Sequence, residues 1–240
     1  MTKPFREWTV LPHGKLTRLD ENILTVTGRI HMPLGDVERR MTCVRLRDGG
    51  LVIYSAIALD EAEMSALEAF GTPAYLIVPN DIHRTDARVY KDRYPTLIVV
   101  APRGAQKRVE DVVPVNAADV DFGDPDVRFV TVPGTGDREG AMVIENQTGT
   151  TLVLNDLVFN LANRPGFSGW LMKTLGLTGD EPHLPPVIKL REVKDESALR
   201  AQLEHWADIP NLRRIVVSHG NIISGDTGPV LRRIAGQLAA

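Results

Sequence analysis

Hydrophobic and polar positions along the chain follow two periods, and the points where one gives way to the other mark out the elements. In the first part "NILTVTGRI", "MTCVRLRDGG" and "LVIYSAI" are β-rich, and in the second of these Thr42, Val44 and Leu46 alternate with Cys43, Arg45 and Arg47. A period of two predicts strands. Asp48-Gly49-Gly50 predicts a hairpin turn, because glycine reaches positive φ without a Cβ clash. The period then turns helical. In "LDEAEMSALEAFG", Asp60 and Glu63 fit a capping box, Met64, Leu67 and Phe70 share a face, and Gly71 stops the helix. "AYLIV" and "TLIVVAP" are continuous apolar runs, as expected of strands covered on both faces. "DARVYKDRY" between them predicts a short helix, so this stretch reads as a parallel strand-helix-strand crossover.

After Arg103 the pattern reads as short strands again, clearest in "VRFVTVPG", "GAMVIE" and "TTLVLND", the last two joined by a turn at "NQTG". "DESALRAQLEHWAD" is helical with Leu199, Leu203 and Trp206 on one face. "RRIVVSHG" is a buried strand ending in a polar turn, and "TGPVLRRIAGQLA" makes a terminal helix with Thr227 as its cap. The chain thus reads as two similar halves, each opening on antiparallel strands and closing on helix-strand units. The architecture this predicts is an α/β sandwich, two mixed sheets face to face with helices outside. A Gly- and Pro-rich segment at about 163–186 interrupts the second half and brackets an apolar helix with Trp170, Leu171 and Leu175. Three readings of it stay open: a lid, a contact between copies of the chain, or a packed excursion.

Composition changes this picture little. Hydrophobic residues make up 43% and charged residues 25% of the 240 positions, as in an ordinary globular protein. A net charge of -3 with no basic run gives no case for nucleic acid as a partner. The single cysteine, Cys43, excludes an internal disulfide and reads as a strand residue rather than a nucleophile. No apolar run approaches the length of a membrane span, and "MTKPFREW" lacks the apolar core of a signal peptide, so the expectation is a cytoplasmic protein.

Candidate chemistry sits at strand ends. "YLIVPNDIHRTDARVY" runs from a buried strand through a turn that offers Asn80, Asp81, His83, Arg84, Thr85 and Asp86. "TVPGTGD", "LVLNDLVF" and "IVVSHGN" end other strands with Thr135, Asp156 and His219. Read alone, Asp156 is a turn carboxylate accepting backbone N–H groups, and His219 is a loop histidine bonded to a carbonyl. His13, His31, His183 and His205 read as structural or surface residues. "PGTGDREG" lacks the Lys and Ser/Thr of a phosphate-binding loop.

The order of elements, with these strand ends, resembles the metallo-β-lactamase fold from about Leu16 to the terminal helix. It looks like a divergent branch in which the motif loop reads PNxxH, here Pro79, Asn80 and His83, in place of HxHxDH. The resemblance implies a single domain over 1–240, a four-layer αββα sandwich. In the family, the paired histidines grip one metal, and the following Asp and His reach a second, so that water becomes acidic enough to react near neutral pH. Matched by position, Asn80 stands at the first His, Ile82 at the second, Arg84 at the Asp and Thr85 at the last His. Pro79 takes the place of the preceding Thr. Thr135 replaces the His of the Gly-His strand end, and Ser55 replaces an early Asp. Asp156 matches the bridging carboxylate and His219 the final His-Gly.

The resemblance therefore implies a degenerate metal site with His83, Asp156 and His219 as the remaining ligands, and Asn80, Arg84 and Thr135 around them. Two functions follow. One is a protein with weak or no hydrolase activity, its site either metal-free with Arg84 paired to Asp156 or only partly competent. The other is a single-metal hydrolase, with one zinc or iron ion, acting on a small-molecule ester, thioester or amide. Contact between copies would run through the Trp170 segment.

Overall fold

A computed structural model describes residues 3–32 and 35–239 of the chain. They form two compact units, Met1–Pro125 and Asp126–Ala240. Pro33 and Leu34, between β2 and β3, lie outside the described residues.

The first unit runs β1 (Thr17–Asp20), β2 (Ile23–Met32), β3 (Gly35–Arg45), β4 (Gly50–Tyr54), α1 (Glu61–Phe70), β5 (Thr72–Ile77), α2 (Ala87–Arg93), β6 (Ile98–Val100) and α3 (Arg103–Val109). Its sheet has the order β1-β2-β3-β4-β5-β6, antiparallel through β4 and parallel from β4 to β6. The hairpin turn forms as its residues predict: Gly49 takes φ 90°, and the Asp48 carboxylate accepts the Gly50 N–H at 2.8 Å. Asp60 caps α1 by accepting the Glu63 N–H at 2.9 Å. Gly71 ends that helix for a different reason from a left-handed cap. Its φ is 175°, ordinary extended backbone, but a Cβ there would sit 2.8 Å from the Gly49 carbonyl. Close approach of two backbones is what demands glycine.

Alternation in β4 is plain. Leu51 and Ile53 pack with Met64, Leu67 and Tyr90 in the core under the helices, while Val52 and Tyr54 on the opposite face are also buried. A strand buried on both faces needs apolar residues at every position. Cys43 belongs to the same core, fully buried, and burial pushes its thiol well above the usual range, which suits a packing residue and not a nucleophile. After Arg103 the sequence reads as strand, yet Arg103–Val109 is α3. Ala105, Gln106 and Lys107 are good helix formers, and Ala105 and Val109 bury one side.

The second unit runs β7 (Val127–Thr131), β8 (Gly140–Asn146), β9 (Gly149–Asn160), α4 (Gly166–Thr174), α5 (Pro186–Glu192), α6 (Glu196–Ala207), β10 (Leu212–Gly220), β11 (Ile223–Ser224) and α7 (Thr227–Ala235). Its sheet has the order β11-β10-β9-β8-β7, with β9 and β10 parallel and the other pairs antiparallel. Both units thus repeat the plan of antiparallel strands followed by a parallel crossover. Leu199, Leu203 and Trp206 of α6 pack with Leu231 and Ile234 of α7 over β10. Thr227 does not cap α7. Its hydroxyl donates to the Leu212 carbonyl at 2.5 Å, bolting the helix start to β10, and Asp226 occupies the cap position.

The Gly/Pro-rich segment carries the expected helix, α4. Met172 is buried, whereas Phe167 is 78% and Trp170 59% exposed, their rings stacked at 5.8 Å. A further short helix, α5, starts at Pro186 where the excursion was expected to end. Among the described residues no helix is long and apolar enough to cross a membrane.

One buried ion pair fastens the first unit. Arg39 on β3 meets Asp86, whose other oxygen accepts the Ala58 N–H at 3.1 Å. Both side chains are nearly inaccessible to water. Removing one partner strands a buried charge, so Asp86→Ala is expected to lower unfolding stability by about 3–5 kcal/mol. Urea denaturation checks this, with Asp92→Ala, at an exposed pair, as the near-neutral comparison.

Candidate functional site

In the first unit the chain leaves β5 and enters the loop from Val78 to Asp86. Sequence pattern marks this as a polar turn, yet Asn80, Asp81, Thr85 and Asp86 are all buried. Three of them have polar partners: Asn80 within the loop, Asp81 with Arg108, and Asp86 with Arg39 and the Ala58 N–H. The Asn80 side-chain oxygen accepts the N–H groups of Ile82 and His83, both at 2.9 Å, which winds the backbone so that His83 projects from a fixed point. Asp81 faces the Arg108 guanidinium at 3.4 Å. His83 itself is half-buried, with Nδ1 in a 2.9 Å hydrogen bond to the Ser55 hydroxyl. Ser55 follows β4 directly and has φ 57°, the left-handed region.

Arg84 goes elsewhere. Its guanidinium donates to the Arg108 carbonyl and faces Asp111 at 3.6 Å. The expected pairing of Arg84 with Asp156, a cation standing in for a metal, is therefore corrected: the guanidinium donates to the Arg108 carbonyl and is ion-paired with Asp111 in its own unit.

In the second unit β9 and β10 fall out of register at their C-terminal ends. Val217 pairs with Leu154, but His219 pairs with Phe159, so Asn155 to Val158 on β9 stand opposite Ser218 alone. This excursion re-aims side chains, as β-bulges do. It places the Asp156 carboxylate 3.1 Å from His219 Nε2. Both residues are buried, Asp156 at 2% and His219 at 8% exposure. The Phe159 ring packs 4.5 Å from the imidazole and limits its rotation. Beside this pair the Ser218 hydroxyl donates to the Asn155 side-chain oxygen at 2.7 Å, tying the two strands together across the irregular stretch. Gly220 completes the turn at φ 99°, and a Cβ there would come within 2.0 Å of the Asn160 carbonyl.

Thr135 is fully buried in the loop after β7, where its hydroxyl donates to the Val132 carbonyl at 2.7 Å and accepts the Glu139 N–H at 3.4 Å. It braces its own loop. The sequence thus singled out Asp156 and His219, which the structure brings together, and His83, which it fixes through Ser55. It passed over Asn155 and Ser218. Their signal was present: each is a polar residue next to a candidate ligand, inside an otherwise apolar strand.

This arrangement of two mixed sheets with flanking helices is the metallo-β-lactamase fold. The chain aligns along 95% of its length with 96% of a metallo-β-lactamase from Pseudomonas aeruginosa in its mono-zinc form, at TM-score 0.63 and 12% identity. It aligns similarly with a metallo-β-lactamase from Erythrobacter litoralis, over 93% of this chain and 96% of that one, at TM-score 0.62 and 11% identity. A third, from Hirschia baltica, gives TM-score 0.59 and 12% identity over 93% and 98% of the two chains. At such identity the likeness is one of fold. No family model matches the sequence, and no curated protein matches it.

The geometry around His219 makes a direct demand. A side chain at position 220 would collide with the Asn160 carbonyl and strain a positive φ. Gly220→Ala is expected to cost more than about 2 kcal/mol and to disturb the His219 environment. Urea unfolding reads the first effect, and the His219 ring resonances in NMR spectra read the second.

Proposed function

We propose that this chain is a reduced, single-metal form of its fold, in which His83, Asp156 and His219 hold one zinc or iron ion and the ligands for a second have been lost. On this reading residues 1–240 act as one domain. The observation that carries the proposal is the buried Asp156–His219 pair at 3.1 Å, positioned by an irregular stretch of strand. With His83 the donor set is two imidazole nitrogens and a carboxylate oxygen, a composition that suits zinc or ferrous iron. Three protein ligands leave a coordination position for substrate or water. A cation held there would supply Lewis acidity to a carbonyl and make water acidic enough to attack near neutral pH.

The chain's own residues would do the positioning. Asn80 fixes the backbone under His83, and Phe159 packs against the His219 ring. The residues at the other ligand positions support a site reduced to one ion. The Asn80 oxygen accepts from its own turn, Ile82 and Thr85 offer no imidazole, Thr135 braces its loop, and Arg84 brings a positive charge. A site of this kind is expected to be weakly hydrolytic towards small esters, thioesters or amides. A metal-free reading loses its support with Arg84 committed to Asp111 and the Arg108 carbonyl.

Metal analysis of untagged protein, purified without chelator, tests this. The expected result is about one zinc or iron per chain in wild type, lost or at least ten-fold weaker in Asp156→Ala, His219→Ala and His83→Ala. Thioester and ester hydrolysis by the loaded wild type is expected to fall in the same variants. Wild-type protein that takes up no metal from excess zinc would overturn the proposal.

A further inference from the structure

We propose that the Ser55 hydroxyl holds His83 in the tautomer that resists a metal, so that this serine acts as a brake on metal affinity. The affinity half of this inference rests on the three-ligand reading above; the tautomer half does not.

Ser55 is held in the left-handed backbone region at φ 57°, a conformation that serine seldom adopts and that persists only where the surroundings impose it. Its N–H donates to the Ile77 carbonyl at 3.1 Å, so the residue is pinned between the ends of β4 and β5. The hydroxyl meets His83 Nδ1 at 2.9 Å, and at 3% exposure water does not reach it freely.

Two arrangements of protons fit that distance. In one, the hydroxyl donates to Nδ1 and the ring carries its proton on Nε2. In the other, Nδ1–H donates to the hydroxyl oxygen. The second leaves the serine's own proton without an acceptor among the described residues, and an unsatisfied buried donor is costly. The first satisfies both groups and is the arrangement of the metal-free protein.

The consequence concerns Nε2. With Nδ1 engaged by Ser55, Nε2 is the nitrogen that would ligate, and a ligating nitrogen carries no proton. Metal binding then moves the ring proton from Nε2 to Nδ1. The ring's proton count does not change, but Ser55 turns from donor to acceptor and its hydroxyl proton is stranded. A carboxylate at position 55 has no proton to strand. It accepts from Nδ1–H and raises the basicity of the other nitrogen. Asp also tolerates positive φ better than serine does, so Ser55→Asp suits the backbone.

The test uses full-length protein. Ring tautomers are read by long-range 1H–15N correlation NMR on metal-free wild type, Ser55→Asp and Ser55→Ala in mildly alkaline buffer. Zinc affinity is read by competition with a chromophoric chelator, and thermal melts confirm that each variant folds. The expected result is Nε2–H at His83 in wild type, Nδ1–H in Ser55→Asp, and zinc bound about ten-fold or more tighter by Ser55→Asp. Ser55→Ala is expected to bind zinc at least as tightly as wild type, whereas a serine that supported His83 as a ligand would give weaker binding. Nδ1–H in metal-free wild type would overturn the inference, as would Ser55→Asp adopting Nδ1–H with no gain in zinc affinity. Protein that binds no zinc in any variant while showing the expected tautomers would uphold the role of the hydroxyl. That outcome would overturn the three-ligand reading and the affinity half with it.

Discussion

Inside this fold a polar side chain must find its hydrogen bonds within a few ångströms, because the strands it belongs to are buried on both faces. β4 and β9 have almost no exposed position. Buried polar groups, many of them at strand ends, are therefore tied down rather than solvated. Asn80 is consumed by two backbone N–H groups, Asp86 by Arg39 and Ala58, Ser218 by Asn155, and Ser55 by His83. The same satisfaction that lets these groups be buried also fixes where His83, Asp156 and His219 point. Stability and site geometry are thus set by one requirement.

Much of the fold was legible because period and burial coincide. The alternation in β3, the continuous runs of β5 and β6, and the α6 face of Leu199, Leu203 and Trp206 are all where the pattern puts them. What misled was local chemistry with more than one use. Thr227 has the look of a cap, but its hydroxyl finds a carbonyl of β10 that sequence cannot place nearby. The α3 segment is short and follows a proline, so its weak helical signal lost to the strands around it. In α4 the apolar pattern named Trp170, Leu171 and Leu175, yet the buried residues are Gly169 and Met172.

The candidate site was legible in identity and not in arrangement. Asp156 and His219 stand next to apolar runs, and strand ends are where such residues gather. Their approach to 3.1 Å depends on a register shift that leaves four residues of β9 opposite one of β10. No pattern of apolar and polar positions encodes that shift, because every residue of the irregular stretch is buried whichever way it faces. Arg84 shows the converse. Charge alone suggested a partner in Asp156, but an arginine takes the groups its backbone brings within reach, here the Arg108 carbonyl of α3 and the Asp111 carboxylate just beyond it.

Asn80, Thr135 and Ser55 each have a structural task beside the candidate site, and the tasks differ in how far they can be separated from the scaffold. Asn80 and Thr135 are woven into the hydrogen bonding of their own loops, so restoring a histidine at either would also remove a structural brace. Ser55 is different. Its hydroxyl touches the His83 ring while its backbone is held independently by the Ile77 carbonyl. A change of that side chain alters the electronics of His83 and leaves the loop standing. On the proposed single-metal reading, such a site would gain or lose metal affinity by a single substitution at a position that ligates nothing. Chemistry and scaffold are separable at Ser55 and fused at Asn80, and that difference decides which substitutions around His83 the fold can tolerate.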